Sequence, residues 1–276
     1  MRIILTAFAI LTNMTPLAAA QTSTGPRPRT EGVSITFLAN EGVLLSSGGK
    51  RVLIDALYQR YRGYAIPADS IRAALESARP PFDSVDLILV THYHGDHFHP
   101  ASVASHLRAN PRATLLTSKQ VIDSLRGRVA AGELLTQRFM ARTMKAGTRR
   151  TEVVRGITVE LLGLPHGGGW RSRGIEHLGY VVELGGRRVL HVGDTEFNEK
   201  TFAPFRLDTA RIDVALLPEW ALTSTEGRRV IERWIRPRQV VAIHVGEGEG
   251  EEVARAVRAA IPGAITFSRS LETRRW

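Results

Sequence analysis

The chain has 276 residues, 43% of them hydrophobic, which suits one large globular domain or at most two smaller ones. It contains no cysteine, which excludes disulfides, a thiol nucleophile and any cysteine-ligated metal, and leaves histidine and carboxylate as the strong ligands. The formal net charge of +10 attracts anions in general, but the basic residues are scattered, mostly arginine, and not interleaved with aromatics, so no specific nucleic-acid partner is expected.

Residues 1–20, MRIILTAFAILTNMTPLAAA, combine a basic start at Arg2, an apolar stretch from Ile3 to Leu11, and a small-residue end at Ala18, Ala19 and Ala20. That order reads as a cleavable signal peptide and predicts an exported protein, periplasmic or secreted. Asn13 and Pro16 break the apolar run well short of the roughly 20 residues that a spanning helix needs. No later segment is long and apolar enough, so no transmembrane anchor is expected after signal cleavage. Residues 21–30, rich in Thr, Ser, Pro and Arg, read as a flexible lead-in, which leaves 31–276 for one folded domain.

The domain opens with three short strands, Val33 to Leu38, Val43 to Ser46 and Arg51 to Leu57, separated by turn signals at Asn40 to Gly42 and Ser47 to Gly49. A helix is expected after Pro67, because Ile71, Ala74 and Leu75 share one face and Asp69 in the first turn suits the helix dipole. Val85 to Val90 is a nearly continuous apolar run and reads as a strand buried on both faces. Helices follow at Pro100 to Arg108, Ser118 to Arg126, Ser224 to Ile235 and Glu251 to Ala260. Strands follow at Ile157 to Leu162, Gly179 to Leu184, Arg187 to Val192, Val214 to Leu217 and Val240 to His244. The elements fall into two successive groups, each with strands leading into helices. Two such halves pack as an α/β fold with sheets face to face and helices outside, a four-layer αββα sandwich; layer packing permits this arrangement, and periodicity alone does not dictate it.

Four of the nine histidines lie between residues 92 and 99, and His92, His94, Asp96 and His97 form His-x-His-x-Asp-His directly past the buried strand. In an extended segment the rings at 92 and 94 project to one side and can share a metal. Gly95 lets the backbone turn sharply and aim Asp96 and His97 at a second metal. A catalytic centre needs three or four nitrogen or oxygen ligands per ion, so others must come from elsewhere. His166, Asp194 and His244 are the candidates, since each follows or ends a strand-like run and emerges where loops gather. Taken alone, His166 and Asp194 also suit turns beside glycine. His99 and His106 read as a helix-start residue and a solvated helix residue, and His191 as a strand residue that packs or hydrogen-bonds. His177, ahead of a strand, is a candidate for the substrate pocket with Trp170, Arg171 and Trp220; Arg173 and Glu219 lie in the same loops. His166-Gly167-Gly168-Gly169 resembles an oxyanion motif of serine esterases, but no Gly-x-Ser-x-Gly elbow accompanies it. A phosphate-binding glycine loop is likewise missing between Gly32 and Lys50.

These motifs, in this order, make the sequence similar to the metallo-β-lactamase superfamily over roughly the whole domain. The resemblance implies that Asp55, closing Val52-Leu53-Ile54-Asp55, supports the site without binding metal. It implies that His92, His94 and His166 hold one ion, that Asp96, His97 and His244 hold the other, and that Asp194 bridges them. The implied cofactor is a pair of divalent metal ions, zinc first, with manganese or iron as alternatives. The implied activity is that of a metal-dependent hydrolase cleaving an ester-like bond, a phosphodiester or a lactone, with a hydroxide shared by the two ions. Asp96 and Asp194 are the catalytic candidates, Asp96 orienting the nucleophile or carrying its proton. Ile35-Thr36-Phe37-Leu38 with Gly42, Gly193-Asp194-Thr195, and Asp213 to Pro218 resemble the branch of ascorbate-6-phosphate lactonase-like proteins and N-acyl-phosphatidylethanolamine-hydrolysing phospholipases. Gly95 departs from that branch, which commonly has a bulky residue there. Alternatives are hydrolysis of a β-lactam or other amide at the same site, a single-iron redox centre, and a non-catalytic, metal-containing envelope binding protein. The expected partner is a small-molecule or lipid-like substrate, for which an anionic group would suit Arg171.

Overall fold

Successive side chains of a strand point to opposite faces, so runs of adjacent apolar residues such as Val43-Leu44-Leu45 and Leu87-Ile88-Leu89-Val90 bury both. The computed structural model describes residues 31–276 apart from 60, 62, 131 and 132; the signal peptide and lead-in read at 1–30 lie outside the described residues. β1 (Ser34–Ala39), β2 (Gly42–Ser47) and β3 (Lys50–Ile54) form an antiparallel meander. The chain then crosses through helices to β4 (Leu87–Val90), β5 (Thr114–Ser118) and β6 (Phe139–Arg142), each parallel to the strand before it. The second half repeats the plan. β7 (Arg149–Val154), β8 (Ile157–Gly163), β9 (Leu178–Leu184) and β10 (Arg187–His191) are antiparallel, and β11 (Val214–Pro218), β12 (Gln239–Ile243) and β13 (Ile265–Thr266) add in parallel. β14 (Thr273–Arg275) returns to pair with β1, so the described residues build two seven-stranded sheets, β14-β1-β2-β3-β4-β5-β6 and β13-β12-β11-β10-β9-β8-β7.

Three apolar layers hold these sheets between helices. Val43, Leu45, Val52, Ile54, Leu87 and Leu89 meet Val159, Leu161, Val182, Val189, Leu216 and Val241 in the layer between the sheets. The intervening Leu44, Leu53, Ile88 and Val90 face α1 (Asp69–Glu76), α2 (Pro100–Ala109) and α3 (Lys119–Arg126). On the far side Ala215, Leu217, Val240 and Ala242 face α4 (Glu199–Phe202), α5 (Glu219–Thr223), α6 (Thr225–Val230) and α7 (Gly250–Ala260). At about 1.5–3 kcal/mol per buried aliphatic side chain, these layers supply the main driving force for folding. The αββα sandwich expected from two strand-helix groups is the observed architecture.

Local differences have local causes. The strand expected over Arg51 to Leu57 stops at Ile54, because Asp55 turns into left-handed backbone at φ 46°. The helix expected over Ser224 to Ile235 is α6, capped by the Ser224 hydroxyl accepting from Gly227 N–H at 3.1 Å, followed by wider π turns to Ile235 that Arg236 ends at φ 49°. His106, expected to be solvated on α2, is fully buried, and its Nδ1 donates to the Leu75 carbonyl at 2.6 Å. The two halves also share one anchoring device at the N-terminal ends of their central strands. The Asp86 carboxylate accepts from Arg51 N–H at 3.0 Å and Arg112 Nη2 at 2.7 Å, as Asp213 accepts from Arg188 N–H at 2.9 Å and Arg238 Nη1 at 3.1 Å.

Candidate metal centre

Parallel strands align their C-terminal ends, and loops leaving those ends converge. Asp55 directly follows β3, the 92–97 run follows β4, His166 follows β8, Asp194 follows β10, and His244 directly follows β12. His244 too lies in left-handed backbone, at φ 58°, and its N–H donates to the Asn40 carbonyl at 3.1 Å. Asn40 in turn donates from Nδ2 to the Asp96 carbonyl at 3.3 Å, tying the first loop to the ligand run. Gly95 does not take positive φ, so the sharp turn expected of it is made without that freedom.

The hydrogen bonds fix which ring nitrogen each histidine presents. Asp55 accepts from Thr91 N–H at 2.8 Å, from Thr91 Oγ1 at 2.6 Å and from His97 Nδ1 at 2.9 Å. With its proton committed to Asp55, Thr91 Oγ1 accepts from His92 Nδ1 at 3.1 Å, and His166 Nδ1 donates to the Gly167 carbonyl at 2.6 Å. His92, His97 and His166 are thereby left with Nε2 free to bind a metal, the arrangement that outer partners impose on metal-binding imidazoles.

The free atoms gather in two quartets. In the first, His166 Nε2 lies 3.2 Å from His92 Nε2 and 3.1 Å from His94 Nδ1, with Asp194 Oδ2 at 3.8 Å. In the second, His97 Nε2 and His244 Nε2 each lie 3.4 Å from Asp96 Oδ2, and 3.3 and 3.1 Å from Asp194 Oδ1. Asp194 thus turns one carboxylate oxygen to each quartet. Ligand atoms held tetrahedrally at about 2.0–2.1 Å from zinc stand roughly 3.3 Å apart, so the spacing fits a metal. The donor chemistry fits as well, because His97 Nε2, His244 Nε2 and Asp194 Oδ1 are buried without a hydrogen-bond partner. Buried polar atoms left so are costly unless another partner, such as a cation, completes them.

The electrostatics agree. Burial, with His97 close by, holds His92 well below the ordinary histidine range, and burial beside His166 lowers His94, so both are neutral and ligand-ready. In the second quartet burial is outweighed: the Asp194 and Asp96 carboxylates raise His97 and bring His244 to about 10. His97 and His244 likewise keep Asp96 and Asp194 below the usual carboxylate range despite burial. Without a metal, protons on these imidazoles supply the positive charge that a cation supplies in its place.

The remaining candidates are distributed around this centre. His99 caps α2 by accepting from Ser102 N–H, and His191 donates from Nε2 to the Glu41 carbonyl at 3.0 Å. His177, expected in the substrate pocket, is only 4% exposed, with its ring 5.2 Å from that of His92 and 5.6 Å from that of His166, so it is packed against the ligands and offers little surface to a substrate. Trp220 sets its ring 4.7 Å from that of His244, and Trp170 is 72% exposed with the Arg171 guanidinium 5.3 Å over it. Sequence reasoning did not single out Thr91, Asn40, Glu41, Tyr61 or Tyr64. Glu41 is wholly buried, its Oε2 3.6 Å from His97 Nδ1, and burial raises its carboxyl well above the usual range. The adjacency of Thr91 to His92 was the one local signal available.

The beta-lactamase superfamily domain matches residues 50–264, a span holding Asp55 and all seven ligand candidates. A UPF0173 metal-dependent hydrolase of Thermus thermophilus is 28% identical over 244 residues, covering 82% of this chain and 92% of its own. Another, of Symbiobacterium thermophilum, is 30% identical over 217 residues, covering 78% and 84%. The solved metallo-beta-lactamase fold protein YhfI of Bacillus subtilis matches with a TM-score of 0.59 at 12% identity, covering 89% of this chain and 100% of that one. The chain belongs to the beta-lactamase superfamily, as a metal-dependent hydrolase of the UPF0173 group.

Proposed function

We propose that this enzyme hydrolyses an ester-like bond, a phosphodiester or a lactone, at a centre of two divalent cations, with zinc as the first choice. One observation carries the reading: Asp194 directs Oδ2 to the quartet of His92, His94 and His166, and Oδ1 to that of Asp96, His97 and His244. When bound between these ligands, divalent cations would supply Lewis acidity, lowering the pKa of water and offsetting negative charge on the substrate. The chain's own contributions are separate. Asp55 orients His97 through Nδ1, and Thr91 orients His92. Asp96 sits between the His97 and His244 ring nitrogens, placed to orient the attacking water and take its proton. Trp170 is exposed in the segment after His166 with Arg171 stacked over it, and we assign the two as an anion-binding and apolar rim for a small-molecule or lipid-like substrate.

The test is a panel of phosphodiesters, lactones, simple esters and β-lactams against protein loaded with zinc, manganese or iron. Turnover of esters or phosphodiesters that Asp194→Ala lowers by at least about a thousandfold supports the reading; preference for β-lactams or other amides contradicts the bond assigned. We also place the protein outside the cytoplasm on its first twenty residues. Expression in a bacterial host should yield a mature chain beginning at Gln21 by intact mass, and a retained Met1 would contradict export.

A further inference from the structure

Gly95 stands in the middle of the ligand run, and a Cβ there would lie 2.7 Å from Cδ2 and 3.0 Å from Cε2 of Tyr61. Since its backbone does not use positive φ, what the glycine provides is space: the Tyr61 ring occupies the volume that a side chain would fill. The ring is held there. Tyr61 stacks with Tyr64 at 6.2 Å and 16°, Tyr64 meets the His244 ring edgewise at 4.5 Å, and Trp220, in α5, meets His244 at 4.7 Å. The loop bearing both tyrosines is pinned by Tyr58 Oη donating to the Ala65 carbonyl at 2.7 Å and by Glu247 N–H donating to Gly63 at 3.0 Å.

Despite this support Tyr61 is 44% exposed. The other exposed aromatics among the described residues are Tyr93, whose ring lies 5.1 Å from that of His94, and Trp170, shortly after His166. Exposed aromatic surface collected beside a polar, ligand-rich centre is the signature of a binding site. We propose that Tyr61, seated on Gly95 and backed by Tyr64, is a specificity-determining residue that stacks on a flat apolar group next to the bond cleaved. The enzyme then favours aryl or cyclic esters and lactones over small aliphatic ones; this rests on the reading of the two quartets as the hydrolytic centre.

Calorimetric titration of zinc-loaded protein with benzohydroxamate and acetohydroxamate tests it, because these chelating probes differ in phenyl against methyl. Benzohydroxamate is expected to bind about tenfold tighter or more. Tyr61→Ala, Tyr61→Leu and Gly95→Ala should each cut that ratio below about threefold, while Tyr61→Phe keeps it, with zinc content measured for every variant. Equal affinities in the unmodified protein, or a ratio that Tyr61→Ala does not change, overturns the proposal and leaves the metal centre standing. Failure of both probes to bind zinc-loaded protein contradicts the centre itself and the proposal with it.

Discussion

Asp55 and His244 both stand in left-handed backbone, a conformation that costs a residue other than glycine about 1–3 kcal/mol and persists where the surroundings enforce it. The enforcement is visible at each. Asp55 spends its carboxylate on Thr91 and His97, and the His244 N–H is taken by Asn40. Asp55→Ala should therefore weaken zinc binding about 10- to 100-fold by releasing His97, as read by competition with a chelator; unaltered affinity would show that His97 needs no such partner. His106→Ala makes the opposite case. It should leave zinc content unchanged yet cost about 1–3 kcal/mol in denaturant unfolding, because the Leu75 carbonyl loses a buried donor.

At the scale of elements the strand ends do the positioning, and the two halves anchor the opposite ends alike. Asp86→Ala removes the acceptor of Arg51 N–H and the partner of Arg112 at the start of β4, far from the ligands. A loss of about 2–4 kcal/mol with metal content intact is expected; loss of zinc in a folded variant would show that the two ends of the strand are coupled. Gly193, at φ 56°, has no room for a Cβ, which would lie 2.7 Å from His177 Nε2 and 2.8 Å from Thr91 Oγ1. Much of this level is legible in the chain. The ligand run announces itself because histidines cluster past a continuous apolar strand, and the unbroken apolar runs at Val43 to Leu45 and Val52 to Ile54 supply both faces of the first sheet. The unread strands lack that signal. β5 has only Leu115 and Leu116 apolar, between hydroxyl-bearing residues, β7 is largely exposed, and β14 exists because residues near the C-terminus find β1. The seating of Tyr61 on Gly95 is equally silent in sequence, since it joins loops that only the folded sheets bring together.

The whole molecule couples its stability to the centre. In the metal-free chain His244 titrates at about 10 against an unfolded value of about 6.5, and His97 shifts the same way. Stability from these raised groups is complete below pH 6.5 and is lost as pH climbs through about 10. Asp96 and Asp194 are depressed, so their contribution is present above about pH 4 and disappears as pH falls. The thermal midpoint of metal-free protein should thus decline from pH 7 to pH 10, and zinc uptake at pH 8 should release protons. A flat midpoint across that window would contradict the charge pattern of the second quartet. Zinc at about 100 times its dissociation constant should add about 2.7 kcal/mol per site.

Through its two oxygens the Asp194 carboxylate joins two sets of ligands, and the number of metal ions bound reports on that junction. Elemental analysis of zinc-loaded protein should find about two ions per chain, falling to at most about one in Asp194→Ala. A single ion in the unmodified protein, or two retained by the variant, would contradict it.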